Sequence, residues 1–443
     1  MLPLRKKGWS VRWAVGFILL CQLQALSIFD RILYGQWMGK SGDKLTQTIN
    51  LMQIIIGVAL FLKGSRHWQT IKTGGLLSIV LAIFVLASAA LSVSSEATVR
   101  AGVQYLVFII TAIGVSGTLD GDDFMDLLAK VCFLSAIASM ILLIVSPESV
   151  IGEFAGDFRG VFPQKNPLGQ AMAMGALASL HGILTSRRRR FFRIVMLTTV
   201  TLVTARASSA TSLLTIALFI LLGLTTKIME KRGSAASILI GCTLVLAVPV
   251  ALMSLFDGGA LLGMMGKDAT LTGRTDIWEY VIPDIYQRPL LGWGYAAFWT
   301  ADNPAAWKIS DILRWWVPQA HNGVLEILLS VGFVGLVFYV FLLGRTWSLS
   351  LKCMRTADRQ MGVTCFLLCI GIVVVGVSEN VLIYTGGISF LFFTTGFYCE
   401  RAVSMSAQRA RWSNVSGPVG VEAARRAYRG GLVRARRLGA NGL

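Results

Sequence analysis

Four basic side chains are the residues of this chain best suited to chemistry: Arg159, Arg206, Arg274 and His321. Arg159 sits in Phe158-Arg159-Gly160-Val161-Phe162, just ahead of Lys165-Asn166-Pro167-Leu168-Gly169. Arg206 sits in Thr204-Ala205-Arg206-Ala207-Ser208-Ser209. Arg274 opens Arg274-Thr275-Asp276-Ile277-Trp278, and His321 lies in Ala320-His321-Asn322-Gly323. A guanidinium stays charged and presents a planar fork that matches phosphate oxygens two at a time. An imidazole titrates near neutrality and suits a general base. The set therefore points to diphosphate handling beside one candidate base. No Asp-x-Asp cluster stands with it on the outer side. The carboxylates Glu153, Asp157, Asp257, Asp268, Asp276, Glu279 and Asp284 are scattered, none closely paired. Arginines in place of a divalent metal are the simpler hypothesis, and no metal or cofactor is expected. Any one of these arginines is explained as well by interfacial snorkelling. The set of four is harder to dismiss, because charge near a membrane is costly and tends to mark sites.

The elements that must position these residues are membrane helices. Mean hydropathy is +0.66, and 55% of the residues are hydrophobic, too apolar for a soluble chain of this length. A bilayer core about 30 Å thick takes ~20 apolar residues per helix. Twelve candidate spans fit, at 12–29, 45–62, 73–94, 99–117, 125–145, 166–185, 192–205, 207–226, 235–255, 321–344, 361–378 and 381–399. Only helices and closed barrels satisfy backbone groups in lipid, and runs this long without alternation mean helices. The expected fold is an all-α polytopic membrane protein.

Lysine and arginine set the orientation. With the N-terminus in the cytoplasm, the clusters at Arg5/Lys6/Lys7, Lys63/Arg66/Lys72, Arg187–Arg190 and Lys227/Lys231/Arg232 all fall inside. So do Arg345/Lys352/Arg355/Arg359 and the nine arginines from Arg401 to Arg437. The connection 118–123 is the exception, being acidic with Asp120, Asp122 and Asp123. A multi-pass membrane protein with both termini cytoplasmic is the expectation, and the net charge of +18 is mostly a topogenic signal. Basic residues spread over separate loops argue against a nucleic-acid partner. The first apolar run, despite a weak cleavage-like Ala25-Leu26-Ser27, reads as an uncleaved signal anchor. The seven cysteines avoid the outer loops, so no disulfide framework is implied.

The organisation is then 1–255 with nine spans, a large outer loop at 256–320 with short helices, 321–400 with three more spans, and a basic tail at 401–443 expected to be a disordered or amphipathic segment on anionic lipid. Within the loop, Ile277, Tyr280, Val281 and Ile285 recur at helical spacing, which predicts a helix over 273–287. Thr272 or Thr275 is its candidate cap. Pro289, Gly292 and Gly294 force a turn after it. Trp293, Phe298, Trp299, Trp307, Trp315 and Trp316 suit either the membrane–water interface or stacking on sugar faces.

Three of these stretches in order, Gly273–Glu279, Arg288–Tyr295 and Ala320–Glu326, resemble the O-antigen ligase / polysaccharide polymerase superfamily. The upstream Arg159–Gly169 resembles its exopolysaccharide-polymerase branch most closely. The resemblance covers roughly 150–400 and implies a GT-C-like membrane glycosyltransferase of about twelve helices. Such an enzyme moves a glycan from undecaprenyl diphosphate to an acceptor on the periplasmic face, among membrane lipids and polysaccharide export components. Polymerases pass it to another lipid-linked repeat unit, ligases to lipid A–core. The family's outer arginines match Arg206 and Arg274, its histidine matches His321, and Arg159 matches a position before the Asn-x-x-Gly element. The family often has Ser-Arg at the hairpin where this chain has Ala205-Arg206, which weakens that one match.

On this resemblance His321, Arg274 and Arg206 are the expected catalytic residues. Arg159, Lys165, Asn166, Trp278 and Asn322 are the expected substrate-binding ones. His321 would take the proton of an acceptor hydroxyl, whose oxygen attacks the anomeric carbon with inversion, while the arginines stabilise the leaving diphosphate. A secondary transporter or flippase is the alternative outside enzymology. Transporters place charged sites near the bilayer midplane, whereas here the polar groups gather at one face.

Overall fold

The computed structural model describes residues 9–29, 44–152, 157–228, 274–381 and 383–415. The span expected at 235–255, the loop residues Asp257, Asp268 and Thr272, most of the loop at 30–44, Glu153 and the tail beyond 415 lie outside the described residues. Among those described there are thirteen α-helices and no β-strand, only an isolated bridge between Ile151 and Phe158.

The helices are α1 (Trp9–Gln22), α2 (Lys44–Gly64), α3 (Trp68–Ala87), α4 (Ser95–Thr118), α5 (Gly121–Val145), α6 (Lys165–Thr185), α7 (Arg190–Arg206) and α8 (Ala210–Ile228). After the long loop's first part come α9 (Arg274–Gln287), α10 (Pro304–Leu313), α11 (Gly323–Cys353), α12 (Arg359–Gly376) and α13 (Gly387–Val415). Among the described residues seven helices, α2–α5, α8, α11 and α12, are long and apolar enough to cross a membrane. Each expected span other than 235–255 overlaps a helix, the first stopping at Gln22 where the chain turns. The protein is an all-helical, polytopic membrane protein.

Two differences from expectation have local causes. The last helix begins at Gly387 rather than 381, because the Gly386-Gly387 pair follows an irregular stretch in which the Ile383 carbonyl accepts from the Tyr295 hydroxyl at 2.9 Å. The same helix then continues to Val415, so the start of the basic tail is helical, as the amphipathic alternative allows. Glu400 and Arg401 tie it down: Glu400 pairs with Arg345 at 2.9 Å, and Arg401 donates to the Ser116 carbonyl at 2.7 Å.

Helix α6 is the centre of the bundle, buried almost from end to end and packed against α5, α7, α8, α12 and α13. Its sequence explains this. Gly169, Ala171, Ala173, Gly175, Ala176, Ala178 and Ser179 are small, and small residues let neighbouring backbones approach where no hydrophobic force separates helix from lipid. Helices α2 and α4 use the same device. A Cβ on Gly64 would stand 2.8 Å from the Gly114 carbonyl oxygen.

The acidic 118–123 connection is resolved at the basic end of the bundle. Asp123 takes Arg12 at 2.9 Å, Asp122 takes His181 at 3.0 Å, and Asp120 lies 3.5 Å from Arg401. The acids are there to pair the basic residues gathered around them.

Helix α11 is broken at Gly332, whose φ of 66° and ψ of −167° fall in a region open essentially to glycine alone. The break hands four backbone groups to the loop. Phe333 N–H donates to the Pro289 carbonyl at 2.8 Å and Val334 N–H to Leu290 at 3.1 Å. In return Trp293 N–H reaches the Leu329 carbonyl at 2.7 Å and Gly294 N–H reaches Ser330 at 3.1 Å. These four bonds satisfy two N–H and two C=O groups that the break orphans, as backbone at membrane depth requires. The Pro289–Gly294 turn is thus a splint laid into a broken helix. Gly332→Ala should cost about 3 kcal/mol or more, from the strained dihedrals plus the clash of the new Cβ with the Leu290 backbone. Thermal unfolding of the purified variant in detergent checks this; an unchanged midpoint would mean that the splint contributes little.

Candidate functional site

The loop after residue 273 and the start of α11 share a small core of Ile277, Val281, Ile285, Trp293, Phe298, Trp299, Ile309, Val317 and Leu329. The helical spacing read from the sequence places Ile277, Val281 and Ile285 in it. Trp293, Phe298 and Trp299 also belong to this core, so neither an interfacial belt nor a sugar platform describes them. Burial of the indoles is matched by hydrogen bonds, Trp293 Nε1 to the Asp284 carbonyl at 3.0 Å and Trp299 Nε1 to Glu326 at 3.0 Å. Trp307, Trp315 and Trp316 stay exposed.

This core fixes His321. Ala320 N–H donates to Glu326 Oε2 at 2.8 Å, and the Ala320 carbonyl accepts from Trp278 Nε1 at 2.9 Å. Glu326 is fully buried and also takes the Tyr384 hydroxyl at 2.9 Å. On the other side Asn322 caps α11, its Oδ1 accepting from Val324 N–H at 3.0 Å and Leu325 N–H at 3.1 Å. Its Nδ2 donates to the Val377 carbonyl at 3.2 Å. Between these clamps His321 takes a left-handed φ of 51°, a conformation for which histidine is enriched among non-glycine residues. Trp278 and Asn322, expected to bind substrate, therefore spend these polar atoms on holding the backbone around His321.

The hub of the site is Glu379, a residue that the sequence reading passed over. Its Oε1 accepts from Arg274 Nη2 at 2.8 Å and from Asn166 Nδ2 at 2.7 Å. Its Oε2 lies 3.9 Å from His321 Nδ1. The carboxylate is 9% exposed. It stands where the first turns of α6 and α9 and the cap of α11 meet, each a partially positive helix end. The available signal was Ser378-Glu379-Asn380 itself, a lone acid in the short gap between two apolar runs.

The other expected residues are arranged around this hub. Lys165 pairs with Asp157 at 2.6 Å. Arg159 is buried, and its backbone N–H bonds the Val150 carbonyl at 2.9 Å. Arg206, exposed at the end of α7, lies 5.4 Å from the Phe158 ring centroid, beside Arg159 in sequence. No carboxylate pairs with Arg206 among the described residues. Its hairpin is joined to the hub segment by the 3.0 Å contact of Thr211 Oγ1 with Ser378 Oγ. So the structure brings Asn166, Arg274 and His321 onto one carboxylate and leaves Arg206 open on the adjoining hairpin. No group of three or more His, Cys, Asp or Glu is placed to hold a metal ion among the described residues.

A helical membrane protein with arginines and one histidine converging at the end of its bundle is the class that the fold and the site define. Comparison with known proteins narrows it. Residues 191–340 match the family model described as O-Antigen ligase. That match takes in Arg206, Arg274 and His321, while Asn166 and Glu379 lie outside it. The chain is also 26% identical over 280 residues to the exopolysaccharide production protein ExoQ of Rhizobium meliloti (strain 1021), an alignment covering 61% of this chain. It spans 63% of that relative, less than two thirds of its length. The resemblance to the O-antigen ligase / polysaccharide polymerase superfamily, and to its exopolysaccharide branch, is borne out.

Proposed function

We propose that this protein is a membrane glycosyltransferase that polymerises undecaprenyl-diphosphate-linked repeat units into exopolysaccharide. The reaction takes place on the periplasmic face of the bacterial inner membrane, with about twelve spans and both termini cytoplasmic. It is inverting and metal-independent. The observation that carries this reading is the convergence of Arg274 and His321 on Glu379, at the end of the bundle opposite the Asp120–Asp123 cluster. A cation beside a candidate base is what glycosyl transfer from a diphosphate needs. The base takes the acceptor hydroxyl's proton, the new oxygen–carbon bond forms, and the bond to the diphosphate breaks with its electron pair leaving on phosphate. Arg274 and the open Arg206 hold that charge.

The exopolysaccharide relative favours polymerase. The O-antigen ligase family model keeps a second reading in view, transfer of finished glycan to lipid A–core. Export components of the same polysaccharide are the natural protein partners in either case. The test uses purified protein in detergent with lipid-linked repeat units and no ion gradient. Growth of the glycan to long chains, with release of undecaprenyl diphosphate, is the expected result. Turnover that requires a gradient across a vesicle would replace the enzyme with a transporter. Chains that never lengthen but are transferred to lipid A–core when it is supplied would replace the polymerase with a ligase.

A further inference from the structure

We infer that Glu379 is a positioning residue that couples substrate binding to chemistry: its carboxylate is shared between Arg274 and His321, and a diphosphate that takes up Arg274 hands the carboxylate to His321. This rests on the glycosyl-transfer reading above and deepens it.

The geometry is asymmetric in the way such a hand-over needs. Oε1 is occupied by Arg274 and Asn166 at 2.8 and 2.7 Å, both within ordinary hydrogen-bond range. Oε2 faces His321 Nδ1 at 3.9 Å, beyond a hydrogen bond yet within a small turn of the ring. Gln319 Nε2 is the other side-chain group on that nitrogen, at 3.4 Å. A carboxylate as enclosed as Glu379 must keep partners, since a buried charge that loses its counter-ion is costly. A diphosphate competes for the same guanidinium fork, which favours phosphate bidentately. Whatever hold on Arg274 the carboxylate loses, His321 is the titratable neighbour placed to replace it.

The consequence falls on the tautomer. A carboxylate on Nδ1–H fixes the proton there and turns the lone pair of Nε2 outward, to the acceptor hydroxyl. When Nε2 takes the hydroxyl proton, the imidazolium that forms is paired with Glu379. The electron pair of the broken anomeric bond leaves on the diphosphate, paired with Arg274. The positive histidine and the negative leaving group are thus each matched. On release of the diphosphate, Arg274 returns to Oε1 and the proton passes from His321 to water.

The test compares full-length wild type, Glu379→Gln, Glu379→Asp and Arg274→Ala in nanodiscs. Farnesyl diphosphate is the binding probe, and kcat and KM are measured on lipid-linked repeat units. Glu379→Gln is isosteric and keeps an acceptor for Asn166. It should lower kcat on the order of 100-fold while tightening both farnesyl diphosphate binding and KM several-fold, because Arg274 no longer has a competing anion. Glu379→Asp draws the carboxylate back from His321. It should lower kcat with little change in KM, and it keeps the test usable if the glutamine variant misfolds. A mere structural clamp would instead raise KM with kcat kept, and that pattern would overturn the assignment. If wild type binds the probe, Arg274→Ala weakens it and Glu379→Gln fails to tighten it, the role of Glu379 falls and the glycosyl-transfer reading survives. If wild type does not bind the probe and Arg274→Ala changes nothing, both fall together.

Discussion

Arg274→Ala should lower turnover of lipid-linked repeat units a hundredfold or more. In the proposed reaction the guanidinium stands where the leaving diphosphate gains charge, and losing one preorganised partner of that kind typically costs ~2.7–4 kcal/mol of barrier. Every ~1.4 kcal/mol is a factor of about ten in rate, so the loss lies between two and three decades. The structure adds a second effect to be separated from the first. Arg274 is also the counter-ion of Glu379, and both side chains are largely enclosed, at 18% and 9% exposure. Deleting one partner of a buried pair leaves the other charge unpaired, at about 3–5 kcal/mol of stability. The alanine variant should therefore melt earlier as well as turn over slowly. The double variant Arg274→Ala/Glu379→Gln removes the stranded charge. It should recover much of the thermal stability and none of the rate. Arg274→Lys keeps a charge but loses the fork, and should fall between wild type and alanine. Normal polymer output from a well-expressed Arg274→Ala protein would sink the diphosphate role.

How much of this was legible beforehand follows from the range of the interactions. Membrane helices announce themselves in runs of ~20 apolar residues, and apart from 235–255 the spans read from hydropathy overlap helices. Helix α9 was readable because Ile277, Val281 and Ile285 carry the 3.6-residue period of one buried face. Arg274 and His321 were readable because their residue types and neighbouring motifs stand out in a polar loop. Glu379 was not, because nothing local marks it. Its partners Arg274 and Asn166 lie 105 and 213 positions away, and only the fold joins them. The same holds for the splint at Gly332. Pro289 and Gly292 announce a turn, but that the turn donates its backbone to a broken helix some forty residues on is a property of the pair. Aromatic residues misled for a related reason: a tryptophan that fills a loop core and one that sits at a bilayer surface look alike until burial is known. Nor does anything local mark Arg401 as the tail residue that is spent on the Ser116 carbonyl and Asp120.

Replacing His321 should abolish long polymer while leaving substrate binding nearly intact, a contrast with Arg274 that separates base from charge partner. The backbone around His321 is held by groups other than its own side chain: Glu326 on the Ala320 N–H, Trp278 on the Ala320 carbonyl and Asn322 at the helix cap. The imidazole is therefore free to act and can be removed without dismantling the frame. Its φ of 51° decides the best substitution. Asparagine tolerates the left-handed region better than alanine does and cannot serve as a base. His321→Asn should lower kcat by ~10²–10⁴-fold, the usual contribution of general acid–base catalysis, with KM and farnesyl diphosphate binding close to wild type. In a deletion strain complemented with this variant, single lipid-linked repeat units should accumulate and long chains vanish. Long lipid-linked chains that never reach lipid A–core would instead make the protein a ligase using the same base. Wild-type polymer from a well-expressed His321→Asn protein would remove His321 from the chemistry, and the hand-over from Arg274 through Glu379 would then have no base to serve.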